Sequence, residues 1–431
     1  MPITVFAEKI TMSAMDAVKM AAKLIDDGDY QSATQILTKM PTGNSLPVEI
    51  ERWYLLAQIS QKKGDYDNAI KIYKKILDDQ PGLVRIRYEL ALCYMAKKQW
   101  YRADYNLRLA MAGDDIPDEV KKRMMYYRYI ARKNKNWNIW FNFGAAPDNN
   151  VNQAVGGDEC IKTEYGVFCR KLQEPESAVG YNLTLGGNYQ FVLSEKWRWK
   201  NEGLLYTNVY NKHNFDDLYL TGATGPRYVW NRGDVWLAAI ASRRWYGWDD
   251  YNWAYGGKLD TNYDFSSRLS SGIQFRFMNN LYDYDEYDKW LNGQTYSLYP
   301  HLTWSIDSTK YITLHGNAER ETAKQDAYAN WRYGFGIGFG VQMPYGFRVY
   351  FEPWFNWSDY DGEKWFVKHN AYVSEREHDF TQRYSLSVSN NKFDFHGFVP
   401  MITFSYTKRD SNIHTREYEK YTAEFTMQQR F

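Results

Sequence analysis

Tyr421-Thr-Ala-Glu-Phe-Thr-Met-Gln-Gln-Arg-Phe431 is the stretch on which the reading of the fold turns. Counted back from Phe431, Met427, Phe425, Ala423 and Tyr421 share one side, and Arg430, Gln428, Thr426, Glu424 and Thr422 share the other. A strand turns successive side chains to opposite faces, so this one has an apolar wall and a polar wall. That is the pattern of a membrane-crossing strand about ten residues long, with lipid on one side and a watery lumen on the other. Gln429 departs from it, and a half-buried sheet of a soluble protein alternates in the same way. The rest of the chain has to decide.

Composition favours the membrane reading. Aromatics make up 18% of 431 residues, with 38 Tyr and 17 Trp, yet mean hydropathy is −0.66. No run approaches the ~18 apolar residues a membrane helix needs. Aromatic girdles around a polar lumen give this mixture, because every second strand residue faces water. The terminal Phe431 resembles the C-terminal signal by which bacterial outer-membrane barrels are recognised for insertion. A net charge of +1 argues against nucleic acid as a partner. The start Met1-Pro-Ile-Thr-Val-Phe-Ala7-Glu8 resembles the stub of a signal peptide, with Val5-Phe-Ala7 as its cleavage site. Of three cysteines, Cys93 falls in a helical repeat as a small core residue. Cys160 and Cys169 lie nine positions apart in an irregular stretch, where they could close a loop disulfide in an oxidising compartment. A metal pair is the alternative, without a nearby His.

Residues 10 to about 133 carry helical periodicity and an internal repeat. Trp53, Leu56, Ala57, Gly64, Tyr66, Ala69, Tyr73, Ile76 and Pro81 form the tetratricopeptide pattern, and the next copy repeats it 34 residues on, in Leu90, Ala91, Trp100 and Ala103. An earlier copy shows Ala21, Gly28, Tyr30 and Ala33, offset by two extra residues in the linker Pro41–Pro47. Such stacks present a concave protein-binding face, although a helical plug or spacer without a ligand has the same pattern. Helix 118–133 caps the array and leads into the next domain.

After Asn136 the period changes to two. Trp137, Ile139, Phe141 and Phe143 form one apolar row, and Tyr181, Leu183, Leu185, Tyr189 and Phe191 another. Tyr333, Phe335, Ile337, Phe339 and Val341 alternate with Gly334, Gly336, Gly338 and Gly340, and inward glycines leave room for another backbone or a plug. Strands are expected near 137–145, 179–191, 197–208, 216–231, 234–246, 250–264, 268–282, 292–306, 310–324, 328–342, 346–359, 380–390, 392–408 and 415–431, fourteen in all. Short turns alternate with longer connections, notably 146–178 and 360–379, and the even count returns the C-terminus to the side of the repeats. Pro353 suggests a bulge or a wrong register, and 392–408 switches faces around Gly397–Pro400. The fold class expected is therefore α+β multidomain: an all-α tetratricopeptide-like solenoid over 8–135, in the periplasm, followed by a fourteen-stranded antiparallel transmembrane β-barrel over 136–431.

No residues signal catalysis. The seven His lack metal-site spacing, and no phosphate loop or nucleophile elbow is present. His315 and His396 fall on strands, where a polar lumen accounts for them, and no cofactor is expected. The expected lumen residues Arg198, Lys200, Glu202, Arg276, Glu319, Arg348, Glu352, Glu424 and Arg430 mix both signs, unlike an ion-selective pore.

The junction is the most specific signal. Trp137-Asn-Ile-Trp-Phe-Asn-Phe-Gly-Ala-Ala-Pro-Asp-Asn-Asn-Val-Asn-Gln153, directly after the repeats, closely resembles the start of the barrel in the surface lipoprotein assembly modulator (Slam) family, the outer-membrane component of type XI secretion. The resemblance covers essentially the whole chain, and its motif falls on Gly144, Pro147, Asp148, Asn149, Asn150 and Asn152. It implies an outer-membrane translocon, embedded in outer-membrane lipids, that moves client lipoproteins or soluble haem-binding proteins to the surface. It also implies the barrel-assembly machinery and periplasmic chaperones as partners during biogenesis. Clustered Asn side chains brace loops through amides that satisfy backbone groups. Polysaccharide exporters also join tetratricopeptide repeats to a barrel, with longer arrays and a lumen of one charge or lined by aromatics. A passive porin with a scaffold domain is a third reading.

Overall fold

The computed structural model describes residues 12–41, 43–283, 285–393 and 398–429. The expected leader stub at Met1–Ala7, the expected start of the solenoid at residue 8, His396, Gly397, Arg430 and Phe431 lie outside them. Among the described residues seven helices precede the barrel: α1 (Ala14–Asp26), α2 (Tyr30–Lys39), α3 (Leu46–Lys62), α4 (Tyr66–Asp79), α5 (Val84–Ala96), α6 (Trp100–Met111) and α7 (Asp118–Lys133). They pack in antiparallel pairs because alanine stands where helices cross: Ala57, Ala69, Ala91 and Ala103 are all fully buried. Tyr54, Tyr73, Leu77 and Leu90 fill the space between pairs. Asp29 and Asp65 cap α2 and α4, their carboxylates accepting the Ser32 and Asn68 N–H. Gly28 and Gly64, just before those caps, hold left-handed backbone (φ 84° and 81°). In the third pair the same position is Lys98, at φ 59°.

Fourteen strands then close on themselves, consecutive neighbours pairing antiparallel and the last returning to the first. They are β1 (Trp137–Asp148), β4 (Ala178–Val192), β5 (Trp197–Tyr210), β6 (Asp217–Trp230), β7 (Gly233–Tyr246), β8 (Asp249–Asp264), β9 (Leu269–Tyr282), β10 (Gly293–Ser305), β11 (Lys310–Glu321), β12 (Asn330–Gln342), β13 (Phe347–Lys368), β14 (Ala371–Asn390), β15 (Phe398–Ser411) and β16 (Tyr418–Gln429). A separate hairpin, β2 (Asp158–Thr163) and β3 (Gly166–Lys171), lies in the β1–β4 connection, and α8 (Asp285–Leu291) lies between β9 and β10. The alternation seen in the sequence becomes two walls. Ile139 (53% exposed), Tyr181 (68%), Trp253 (52%), Phe335 (45%), Phe404 (54%) and Phe425 (50%) face outward. A continuous apolar surface of this kind around a closed barrel is a surface for lipid.

Four expectations are corrected. Residues 360–379 are not a loop: β13 and β14 run on to Lys368 and Ala371 and turn at His369-Asn370. The 146–178 connection holds a regular hairpin. Strand 392–408 starts at Phe398, after a 3-10 turn at Asn391–Phe393. Pro353 shifts no register, since it pairs with Tyr384 in an unbroken β13–β14 ladder; the shift lies between Asp359 and Glu363. Toward β12 the pairing resumes in the same register on either side of Pro353, which only lacks an N–H to donate.

Candidate functional site

The barrel closes where β1 meets β16, and this seam is built differently from its neighbours. β1 pairs with β4 at all twelve of its residues. With β16 it pairs at five among the described residues, between Asn142 and Asp148, and the ladder is interrupted at Ala146 and Pro147. The motif side chains replace the missing backbone bonds. The Asn149 amide oxygen accepts the Tyr421 N–H (2.7 Å). Asn150, 2% exposed, donates to the carbonyls of Ala154 (2.8 Å) and Glu419 (3.1 Å) and accepts the Ala154 N–H (2.9 Å). Asp148 accepts the Asn150 N–H and pairs with Lys420 at 2.5 Å. Asn152 bonds Glu174 and Glu176, which lead into β4. Gly144 is needed for approach, because a Cβ there would collide with the Phe425 carbonyl across the seam. Asp148, Asn149 and Asn150 thus bridge the first and last strands at the end far from the helices, where Gly144 lets the strands approach, while Asn152 ties the same loop to the residues before β4.

At the other end the helices fill the mouth. The short turns each meet a helix or its loop: Lys133 reaches Glu195, Arg132 the Asn231 carbonyl, Asp114 Arg268, the Gly82 carbonyl Ser308, and Asp79 Lys392. Arg87 donates to Gln342 (2.6 Å), which in turn donates to the Tyr105 hydroxyl (2.8 Å), and the Tyr101 hydroxyl reaches Asn188 (3.2 Å). Beneath these lies a buried charge network. Asp104 pairs with Arg128 (2.9 Å) and Lys135 (2.7 Å), Arg128 with Asp264 (3.2 Å), and Arg132 with Asp264 and Asp234. Burial acts to raise the Asp104 carboxyl, but Lys135 and Arg128 outweigh it and hold the group well below the usual carboxylate range. Sequence reasoning missed this site. Its pairs to Asp264 and Asp234 join residues more than a hundred positions apart, and the one local signal was charge on α6 and α7 beyond what a packed repeat requires.

Within the lumen Lys200 and Lys258 both pair with Glu202 (2.7 and 3.2 Å), and Arg332 pairs with Glu319 (2.5 Å). Arg198, 2% exposed, belongs to the mouth, donating to the Lys133 carbonyl (3.1 Å). Arg276 stands beside Tyr299, and His315 lies 3.9 Å from Glu352. Arg348 and Glu424 stand on inward rows of β13 and β16. The glycine row of β12 does not make room for a plug: neighbouring side chains take the space, Trp354 over Gly336, Tyr350 over Gly338 and Tyr311 over Gly340.

Of the repeat signature, Ala69, Ala91 and Ala103 are core residues, Gly64 and Pro81 close helices, and Tyr66 and Trp100 start α4 and α6. Trp53 instead lines a groove of about 1000 Å³ with Leu56, Ile70, Lys71 and Lys75, closed on one side by Lys392 of the barrel. At the far end Cys160 and Cys169 are joined in a disulfide across β2 and β3.

Comparison with known proteins agrees with this architecture. Residues 137–431 match the family model described as surface lipoprotein assembly modifier, and residues 61–104 match that of the tetratricopeptide repeat. The chain is similar to Surface lipoprotein assembly modifier 1 of Neisseria meningitidis, at 24% identity over 85% of this chain and 73% of that one. It is similar to the Surface lipoprotein assembly modifier of Pasteurella multocida, at 19% over 84% and 73%. The Hemophilin secretion modulator of Acinetobacter baumannii shares 21% over 61% of this chain and 52% of its own.

Proposed function

The chain belongs to the surface lipoprotein assembly modifier family, and from that premise we propose that it is an outer-membrane translocon exporting or displaying particular client proteins. The clients are surface lipoproteins or soluble haem-binding proteins; the names of its relatives refer to surface lipoprotein assembly and to hemophilin secretion. Residues 136–431 cross the outer membrane, and residues 8–135 lie in the periplasm and engage the client. The observation that carries this reading is a protein-binding repeat array seated in the mouth of a closed barrel, held there by Asp104, Arg128, Arg132 and Asp264. A passive porin has no use for a mouth filled by helices. A polysaccharide conduit is disfavoured by the lumen's mixed charge and the short repeat array. The groove beside Trp53 is bounded by the barrel turn at Lys392 and so offers a client segment a place next to the entrance.

The test is co-expression, in a Gram-negative host, with the lipoprotein or haemophore encoded beside this gene, followed by protease treatment of intact cells. The client is cleaved when this chain is present and protected when it is absent. Export of polysaccharide with no change in any protein client contradicts the reading.

A further inference from the structure

The β2–β3 hairpin presents a strand edge that carries charge only at its end, at Arg170 and Lys171. Its geometry fixes which backbone groups point outward. In an antiparallel pair, residues of a non-hydrogen-bonded pair direct their N–H and C=O away from the partner strand. Lys162 belongs to such a pair, because its N–H leaves the hairpin and donates to the Asn370 carbonyl at the β13–β14 turn (2.8 Å). Cys160 and Cys169 form the next such pair, with the close Cα spacing of 4.0 Å that this position requires. Val167 lies opposite Lys162, so Val167 and Cys169 direct their N–H and C=O away from β2. The β2 edge is thus occupied at Asn370, while among the described residues no strand pairs with the outer edge of β3.

Natural sheets guard such edges with charge, proline or bulges. This edge has none over Tyr165-Gly-Val-Phe-Cys169. Every residue of β3 is exposed, and Tyr165, Val167 and Phe168 are 84, 61 and 59% exposed. Val167 and Phe168 point to opposite faces, so an added strand finds an apolar side chain on each. The disulfide makes the hairpin rigid, which lowers the ordering cost of adding a strand. Its position follows from the fold: it hangs from the β1–β4 connection, and Asn370 lies past the intervening strands β16 and β15, at the end away from the helices.

We propose that the outer edge of β3 is a strand-addition site for an extended, largely uncharged segment of the exported protein, paired through the N–H and C=O of Val167 and Cys169. The proposal rests on the export reading above. A chain leaving the barrel unfolded carries unsatisfied backbone groups, and this edge is a main-chain partner at the exit. Val167→Pro removes the outward N–H while sparing the β2 ladder, and Val167→Thr keeps both the N–H and the β-branched shape.

The experiment compares wild type, Val167→Pro and Val167→Thr in intact cells with the client, and adds a benzophenone amino acid at Lys171 in otherwise wild-type protein. Expected are a photo-crosslink from position 171 to the client, a fall of at least threefold in displayed client for Val167→Pro, and none for Val167→Thr. Mass spectrometry of the Cys160–Cys169 disulfide in each variant verifies that the hairpin has formed. Equal display by Val167→Pro with its disulfide intact, or crosslinks joining two copies of this chain instead of client, overturns the proposal. Absence of client at the surface with wild-type protein contradicts the export reading itself, a separate result.

Discussion

Asn150 shows how much one side chain can carry at the seam. Its amide forms three hydrogen bonds in a nearly water-free position, where an unpaired backbone group is costly. Asn150→Ala should therefore destabilise the far end of the seam by about 2 kcal/mol, read as a lower temperature at which the folded barrel loses its compact migration on gels. Lys98 is the opposite case, holding by side-chain tolerance the left-handed position that Gly28 and Gly64 hold at no cost. Lys98→Gly should stabilise the solenoid by about 1 kcal/mol, measured by thermal melting of helical signal. Cys93 is fully buried, and burial pushes its thiol up to about 12. It should resist thiol reagents in the native protein and react only on unfolding.

Among elements, the weak ladder is the one between β1 and β16. Amides at Ala145, Ala146, Asp148 and Thr422–Phe425 that face the seam should exchange hydrogen roughly tenfold faster than those of the β1–β4 ladder. Equal protection contradicts the reading of the Asn cluster as a substitute for backbone pairing. Such a cluster was legible in sequence only as a motif, since its partners Glu419 and Tyr421 lie about 270 positions away. The strands themselves were legible because one outward row stays apolar along each membrane crossing. That signal ends where the membrane ends. Residues 360–379 mix charged and apolar side chains on both faces, Lys364 with Phe366 on one and Glu363 with Trp365 on the other, so the extension of β13 and β14 read as a loop, although paired backbone continues. Pro353 misled in the other direction, because sequence shows the missing N–H and not the intact neighbouring ladder.

At the scale of the molecule, solenoid and barrel are separate cores joined by buried charge. Removing one partner of such a network leaves the others uncompensated, at a cost of about 3–5 kcal/mol, so Asp104→Asn should release α6 from the mouth while leaving the barrel folded. Limited proteolysis of the helical domain reads that release. The pH dependence has a definite sign. Asp104 is depressed when docked, so its contribution is fully present above the free carboxylate pKa, about 3.9, and is lost as pH falls below that value. Docking should accordingly survive from neutral pH to about 5 and weaken below 4.

The central claim is that this chain exports a client protein, and we take its route to run through the mouth, which requires the helices seated there to move. Gly82 and Ser308 touch where the repeats meet the rim of that mouth, with a Cβ at Gly82 lying 4.0 Å from the Ser308 hydroxyl oxygen, close enough for a disulfide between Gly82→Cys and Ser308→Cys. Client cleaved by protease on intact cells, measured before and after mild reduction of this variant, tests the claim directly. The account predicts that no client reaches the surface while the bridge is closed and that display returns on reduction. Undiminished display through a demonstrably closed bridge would contradict it.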